Sequence, residues 1–190
     1  PIAPEDVRAH AVVSTHWHED HLDPGSIPII ALNNPGARFI MPPSATSHAL
    51  SWGIPRSQVL GIQHGQTMQV ASVTVEAVPA RHEAGIPGWD VPDAMGVLLQ
   101  FGSFTIYHCG DTEYDIRLRR LKTRKPNVAM LCINGVSGNM DAHEAALLAW
   151  HLGAEVVIPI HHYLWAANTG TNEETLDPQL FADTYTRLGG

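Results

Sequence analysis

The chain has 190 residues, of which 44% are hydrophobic and 16% charged, and a formal net charge of −8. That length suits one domain, taken as residues 1–190, with a sizeable core, and the composition is globular and not disordered. The negative charge argues against general affinity for nucleic acid or an anionic membrane, since both need a positive field. No apolar stretch approaches a membrane span and no signal peptide is read, so no membrane partner is expected. Pro1 reads as a cut or processed start, or as the start of a fragment. Cys109 and Cys132 lack zinc-type spacing and require no disulfide, which makes a reducing cytoplasm the expected compartment.

Taken in chain order, the predicted elements alternate in the α/β manner. Strands are expected over Ala11 to Thr15, Arg38 to Met41, Gln58 to Ile62, Met68 to Pro79, Met95 to Phe101, Ser103 to His108, Asn127 to Ile133 and Glu155 to Ile160. Helices are expected over Pro24 to Leu32, Ser44 to Trp52, Thr112 to Leu121, Asp141 to Leu152 and Asp177 to Leu188. Asp141 with Glu144 resembles a capping box, and Gly153 stands where a helix stops. Phe101-Gly102-Ser103-Phe104 reads as a tight hairpin. The apolar run Val156-Val157-Ile158 predicts a strand covered on both faces. Gly85 to Pro92 and Ala166 to Thr175 read as loops, the first long enough to wall a pocket.

The most informative segment is Ser14-Thr15-His16-Trp17-His18-Glu19-Asp20-His21. It follows the apolar run Ala11-Val12-Val13. Side chains two apart on an extended segment project the same way, so His16 and His18 can share one metal ion. Asp20 and His21, where the chain begins to turn, can reach a second. Imidazole with carboxylate suits zinc, manganese or iron. Further candidates stand where apolar strands run out into loops: His82 after Val78-Pro79-Ala80, Asp111 within Gly110-Asp111-Thr112, and His161 after Ile158-Pro159-Ile160. Asp111 also fits a helix N-cap.

The H-x-H-x-D-H motif, His82, the Gly-Asp-Thr segment and His161 follow one another in the order of the metallo-β-lactamase superfamily, which the chain resembles. The resemblance implies an αββα sandwich with a binuclear site at one edge of its sheets. It implies that His16, His18 and His82 hold one metal, that Asp20, His21 and His161 hold the other, and that Asp111 bridges them. Ser14 to Asp23, Trp52 to Pro55, Tyr107 to Asp111 and Val157 to Trp165 look like the L-ascorbate-6-phosphate lactonase branch. Family members carry several strands before the first motif, so the domain is expected to lack its N-terminal strands and to expose an unpaired sheet edge.

The chemistry so implied is hydrolysis by a metal-bridging hydroxide, with two divalent ions (Zn or Mn, Fe also permitted) as cofactors. The expected reaction is the opening of a lactone such as a phosphorylated sugar-acid lactone. Asp111 and Asp20 would orient the hydroxide, and His162 or metal-bound water would protonate the leaving alkoxide. A small-molecule substrate, anionic if phosphorylated, is expected, and a homo-oligomer is permitted. Two other readings stand beside this one: a phosphodiesterase or nuclease of the same superfamily, and an inactive metal-binding fragment. Arg81 could meet a substrate phosphate. The basic run from Arg117 to Lys125 reads as a solvated face. His108 reads as an outer support of the site, and Asn134 to Asn139 as a turn or an anion-binding nest. Trp52, Trp150 and Trp165 read as packing residues, while His143 and His151 are not expected to be ligands.

Overall fold

The computed structural model describes residues 2–82, 87–162 and 177–190. Its first part winds as β1 (Ala11–Val13), α1 (Ile27–Asn33), β2 (Arg38–Met41), α2 (Pro43–Ser51) and β3 (Val59–Gly61), giving a parallel sheet in the order β1-β2-β3. Then come β4 (Thr67–Val70), β5 (Val73–Pro79), β6 (Met95–Phe101), β7 (Phe104–His108), a 3₁₀ helix (Ile116–Arg124), β8 (Val128–Cys132), α3 (Ala142–Leu152), β9 (Val156–Ile160) and α4 (Pro178–Arg187). These strands form one sheet in sequential order, antiparallel from β4 to β7 and parallel from β7 to β9.

Alternating side chains sort the strands into layers. On β2, Phe39 and Met41 pack with Ile27, Ala31, Ala45 and Ala49 of α1 and α2, while Ile40 faces the other sheet. There it meets Val75 and Ala77 of β5 and Met95 and Val97 of β6. Leu98, one residue further on, turns to the opposite side and joins Ala145, Leu148 and Ala149 of α3. The period of two thus produces helices, sheet, sheet, helices. This is the αββα arrangement.

The direction of the strands decides where function can sit. Because β5 and β7 are each antiparallel to β6, and β7, β8 and β9 are parallel, strands β5, β7, β8 and β9 all run the same way. Their carboxyl ends share one edge. The carboxyl end of β1 reaches that edge too, because Met95 donates its N–H to the Thr15 carbonyl at 3.0 Å.

Several elements depart from the sequence expectation. The run Met68 to Pro79 is a hairpin and not one strand, turning at Ala71 and Ser72, with Val70 opposite Val73 and Ala71 at φ 51°. Nothing in Ala-Ser carries the usual glycine or asparagine turn signal. The helix expected over Thr112 to Leu121 starts later, as a 3₁₀ helix capped by the Asp115 side chain, so Asp111 is not a helix cap. Among the described residues β9 is an edge strand, and it is not covered on both faces: Val156 is 51% and Ile158 39% exposed. Its proline follows from the ladder. Val156 donates to Asn127, and the Ile160 carbonyl accepts from Ile133, so residues of that parity address β8. Pro159 has the other parity, and its missing N–H falls on the side away from β8. The Ala166 to Thr175 loop and part of the Gly85 to Pro92 loop lie outside the described residues.

The capping box is present. Asp141 accepts from the Glu144 N–H at 2.8 Å, Glu144 accepts from the Asp141 N–H at 3.2 Å, and Gly153 ends the helix at φ 65°. Asp141→Ala is expected to lower unfolding free energy by about 1 kcal/mol in a denaturant titration. A change below about 0.3 kcal/mol would show that the cap is not holding α3. Cys109 and Cys132 are buried free thiols. No helix among the described residues is long and apolar enough to cross a membrane.

Candidate metal centre

The segment after β1 turns at once. His21 and Leu22 both donate their N–H groups to the His18 carbonyl, which draws His16, His18, Asp20 and His21 into one tight bend. His82 comes in from beyond β5, Asp111 from beyond β7 and His161 from beyond β9. Asp111 sits two residues past Cys109, whose N–H bonds the Met130 carbonyl and continues the β7–β8 ladder. His161 reaches the cluster through a left-handed turn, φ 57°. A non-glycine residue there carries strain of about 1–3 kcal/mol. The contacts of its ring oppose that strain.

Three imidazoles meet first. His16 Nε2 lies 3.0 Å from His18 Nδ1, and His82 Nε2 lies 3.1 Å from the same atom. Each ring is fixed from behind. His18 donates from Nε2 to the Trp89 carbonyl at 2.9 Å, and His82 donates from Nδ1 to the Gly138 carbonyl at 3.3 Å. His16 Nδ1 is 3.1 Å from Thr15 Oγ1. With the outer nitrogens carrying the protons, all three inner nitrogens present lone pairs to one point. Neutral imidazoles cannot satisfy one another in that way, whereas a cation satisfies them together. Burial, reinforced by the charge on His21, drives the His16 pKa down from 6.5 to about 2, so that ring stays neutral.

A second group adjoins the first. Asp20 Oδ2 lies 3.2 Å from His161 Nε2 and 3.4 Å from His21 Nε2. Asp111 sits between the groups, its Oδ1 3.2 Å from His21 and its Oδ2 3.5 Å from His161 and 3.9 Å from His82. Asn139 donates from Nδ2 to Asp111 Oδ2 at 2.8 Å and fixes the carboxylate plane. Burial opposes charge on both carboxylates, but the facing histidines outweigh it and hold Asp20 and Asp111 well below the usual carboxylate range. Burial likewise opposes charge on His21, yet Asp111 and Asp20 outweigh it and raise its pKa from 6.5 to about 10. His161 is shifted upward against burial by Asp20 and Asp111.

The residues fit a divalent cation. His16, His18 and His82 form one candidate set, His16, His21 and Asp111 another, and Asp20, His21 and His161 a third, with ligand atoms within 4.8 Å of one another in each. Buried His21 Nε2 and Asp111 Oδ1 face each other with no well-formed hydrogen bond to either. Buried polar atoms are normally paired, and a shared cation would pair both. The donors are nitrogen and carboxylate oxygen, a set that suits zinc, manganese or iron.

The family model for the β-lactamase superfamily domain matches residues 1–162. The chain belongs to that superfamily. A metal-dependent hydrolase of Methanosphaerula palustris is 32% identical over 165 residues, which is 82% of this chain and 69% of that protein. A probable L-ascorbate-6-phosphate lactonase of Escherichia fergusonii is 25% identical over 175 residues, 82% of this chain and 49% of its own length. The chain therefore spans about half of that lactonase. Among solved structures, a metallo hydrolase from Ignicoccus hospitalis superposes with a TM-score of 0.75 at 26% identity, covering 95% of this chain and 73% of that one. The superfamily's metal-dependent hydrolases are thus the chain's relatives in both sequence and fold.

Other residues singled out from the sequence fall into place. His108 accepts from the Gly110 N–H at 3.0 Å and supports the turn that carries Asp111. His162 follows His161 at the end of β9 and is half-buried. Arg81 is engaged by Glu113, Nε to Oε2 3.3 Å. In the basic run, Arg117 pairs with Asp115 and Arg124 with Glu76, and the segment is largely exposed. His143 bonds Thr184 on α4, away from the cluster. Trp52 packs on the α1–α2 side, Trp165 lies outside the described residues, and Trp150 is 45% exposed and so not a packing residue. The sequence reading missed Asn139 and the Gly138 carbonyl as supports. Their signal was the glycine-rich stretch itself, whose positive φ angles at Gly135, Ser137 and Gly138 curl the loop toward the site. Trp89 gave no signal at all.

Metal uptake should release protons. In the metal-free fold His21, with a pKa near 10, is protonated at neutral pH and must lose that proton to become a ligand. The sign follows from the raised value. The ion pair steadies the metal-free fold fully below pH 6.5 and is lost as pH rises through about 10, while metal affinity climbs over the same range. Calorimetry in two buffers of unlike ionisation enthalpy should find about one proton or more released per chain at pH 7, and tighter binding at pH 9. Release near zero with pH-independent affinity would show that His21 is not displaced by metal.

Proposed function

We propose that this chain is a metal-dependent hydrolase that holds two divalent ions, zinc or manganese, and opens a lactone ring. The supporting observation is the convergence of His16, His18 and His82 beside Asp20, His21 and His161, with Asp111 in contact with members of both groups. His16, His18 and His82 would hold one ion, Asp20, His21 and His161 the other, and Asp111 both. A divalent ion bound there lowers the pKa of water and offsets negative charge developing on a carbonyl oxygen.

The chain's own residues do the rest. Asp111 is buried and held by Asn139, so its carboxylate is fixed in plane and stays ionised. Asp20 has a side chain 32% exposed and would, with Asp111, orient the attacking water. His162, beside His161, supplies a proton to the alkoxide released when the ring opens. The substrate is a small molecule, not nucleic acid. The lactone assignment draws on the similarity to the lactonase relative and on the segments that resemble that branch.

The test pairs metal analysis with turnover. Two equivalents of metal per chain and hydrolysis of a phosphorylated sugar-acid lactone, with bis(p-nitrophenyl) phosphate left intact, are expected. Cleavage of the phosphodiester instead would move the chain to the phosphodiesterase reading. Bound metal without turnover of any ester, lactone or phosphodiester would leave it a metal-binding module.

A further inference from the structure

Trp89 is a large apolar side chain left 51% exposed. Isolated exposed apolar residues are ordinary, but this one is tied to the metal centre from both flanks. Its own carbonyl accepts from His18 Nε2 at 2.9 Å, and two residues on, Val91 donates its N–H to the His82 carbonyl at 3.3 Å. His18 and His82 are both members of the first ligand set. The backbone that carries the indole is therefore held to the chain at two candidate metal ligands.

Its ring lies 5.1 Å, centroid to centroid, from the His18 ring and 6.3 Å from that of Trp17. Trp17 in turn lies flat on His48 at 5.1 Å with an interplanar angle of 5°, and His48 is 6.1 Å from Trp52. This aromatic row runs back into the α1–α2 packing layer, where Trp17 and Trp52 are anchored. Trp89 is its solvent end, an exposed apolar ring beside that of His18. Arg81, the cation adjacent to His82 in the chain, already faces the Glu113 carboxylate. Contact area and ring-face packing are what the Trp89 indole offers a ligand.

We propose that Trp89 is the platform on which the ring of a cyclic substrate stacks, and that it is a specificity-determining residue favouring ring esters over open-chain esters. The inference rests on the lactone reading above. It adds a substrate class: lactones whose ring presents a flat aryl or C–H face, such as those of sugar acids or of phenols. An indole supplies large contact area at low conformational cost, and its face packs against such rings. A small open-chain ester has no comparable face.

The experiment compares metal-loaded parent, Trp89→Ala and Trp89→Phe on glucono-δ-lactone, dihydrocoumarin and methyl butyrate. In Trp89→Ala the KM for the lactones should rise about tenfold while kcat stays within about threefold, and Trp89→Phe should recover most of the loss. The KM for methyl butyrate should move less than about twofold. Metal content per chain should match the parent, because the carbonyl that holds His18 belongs to the backbone. Equal KM changes for ring and open-chain esters, or none for either, would overturn the platform. Loss of metal from Trp89→Ala would also overturn it, by making Trp89 a support of His18 instead. A parent that turns over methyl butyrate but no lactone would refute the lactone reading itself, a result separable from the others because it appears before any substitution is made.

Discussion

Replacing Asp111 by alanine is expected to lower kcat by at least about 10³-fold, beyond the 10–100-fold typical of outer partners of a metal site. The expectation comes from where the carboxylate sits. It is within 3.9 Å of His21, His82 and His161 and shares a candidate ligand set with His16. Among the described residues, no other carboxylate lies within 4.0 Å of histidines from both groups. Removing it takes a ligand from each and leaves the His21 imidazolium with Asp20 as its remaining carboxylate. The pKa of His21 should fall accordingly, and proton release on metal binding should shrink with it. Asp111→Asn preserves shape and the Asn139 contact in part but not charge, and should fail nearly as badly. Metal analysis of the purified variants, with circular dichroism to confirm folding, should show less than the parental metal content. Turnover within tenfold of the parent for a folded Asp111→Ala would refute the bridging role.

How much of this was legible in the sequence depends on where the information lies. The bend from His16 to His21 is local, so its spacing alone pointed to metal. His82, Asp111 and His161 are single residues after strands and carried little meaning separately; their order alongside the first motif gave them one. The layers were legible only through the family resemblance, because the run Phe39-Ile40-Met41 is apolar throughout and does not itself show that alternate residues enter two cores. What escaped were features decided by contacts made far along the chain. Asn139 meets Asp111 across 28 residues, and Trp89 meets His18 across 71. Neither residue has a spacing that announces its partner. The Ala71-Ser72 turn escaped because its conformation is imposed by the pairing of β4 with β5 and not by turn-forming residues. The exposure of β9 escaped because an apolar β-branched run looks the same at the edge of a sheet as in its middle.

Gly110→Ala is expected to be the most destabilising small substitution in the site, at about 3–5 kcal/mol, from positive-φ strain and overpacking together. The backbone there stands at φ 65°, and an added Cβ would lie 2.6 Å from the Met95 carbonyl oxygen and 3.0 Å from Thr15 Cβ. Neither neighbour can yield cheaply. The Met95 oxygen is backbone at the start of β6, and the Thr15 carbonyl accepts the Met95 N–H, the bond that brings the first sheet's edge against the second. Thr15 also sets the His16 ring from behind, so the clash would reach the metal centre. Gly102→Ala provides the control: its φ is 62°, yet nothing lies within 4 Å of the added Cβ. That variant should lose only about 1–2 kcal/mol, the cost of the backbone alone. Denaturant unfolding of the two metal-free variants separates the effects, and metal titration should show weakened binding for Gly110→Ala only. Equal losses for both would mean that the dihedral angle, and not the close approach of three strand ends, is what requires glycine before Asp111.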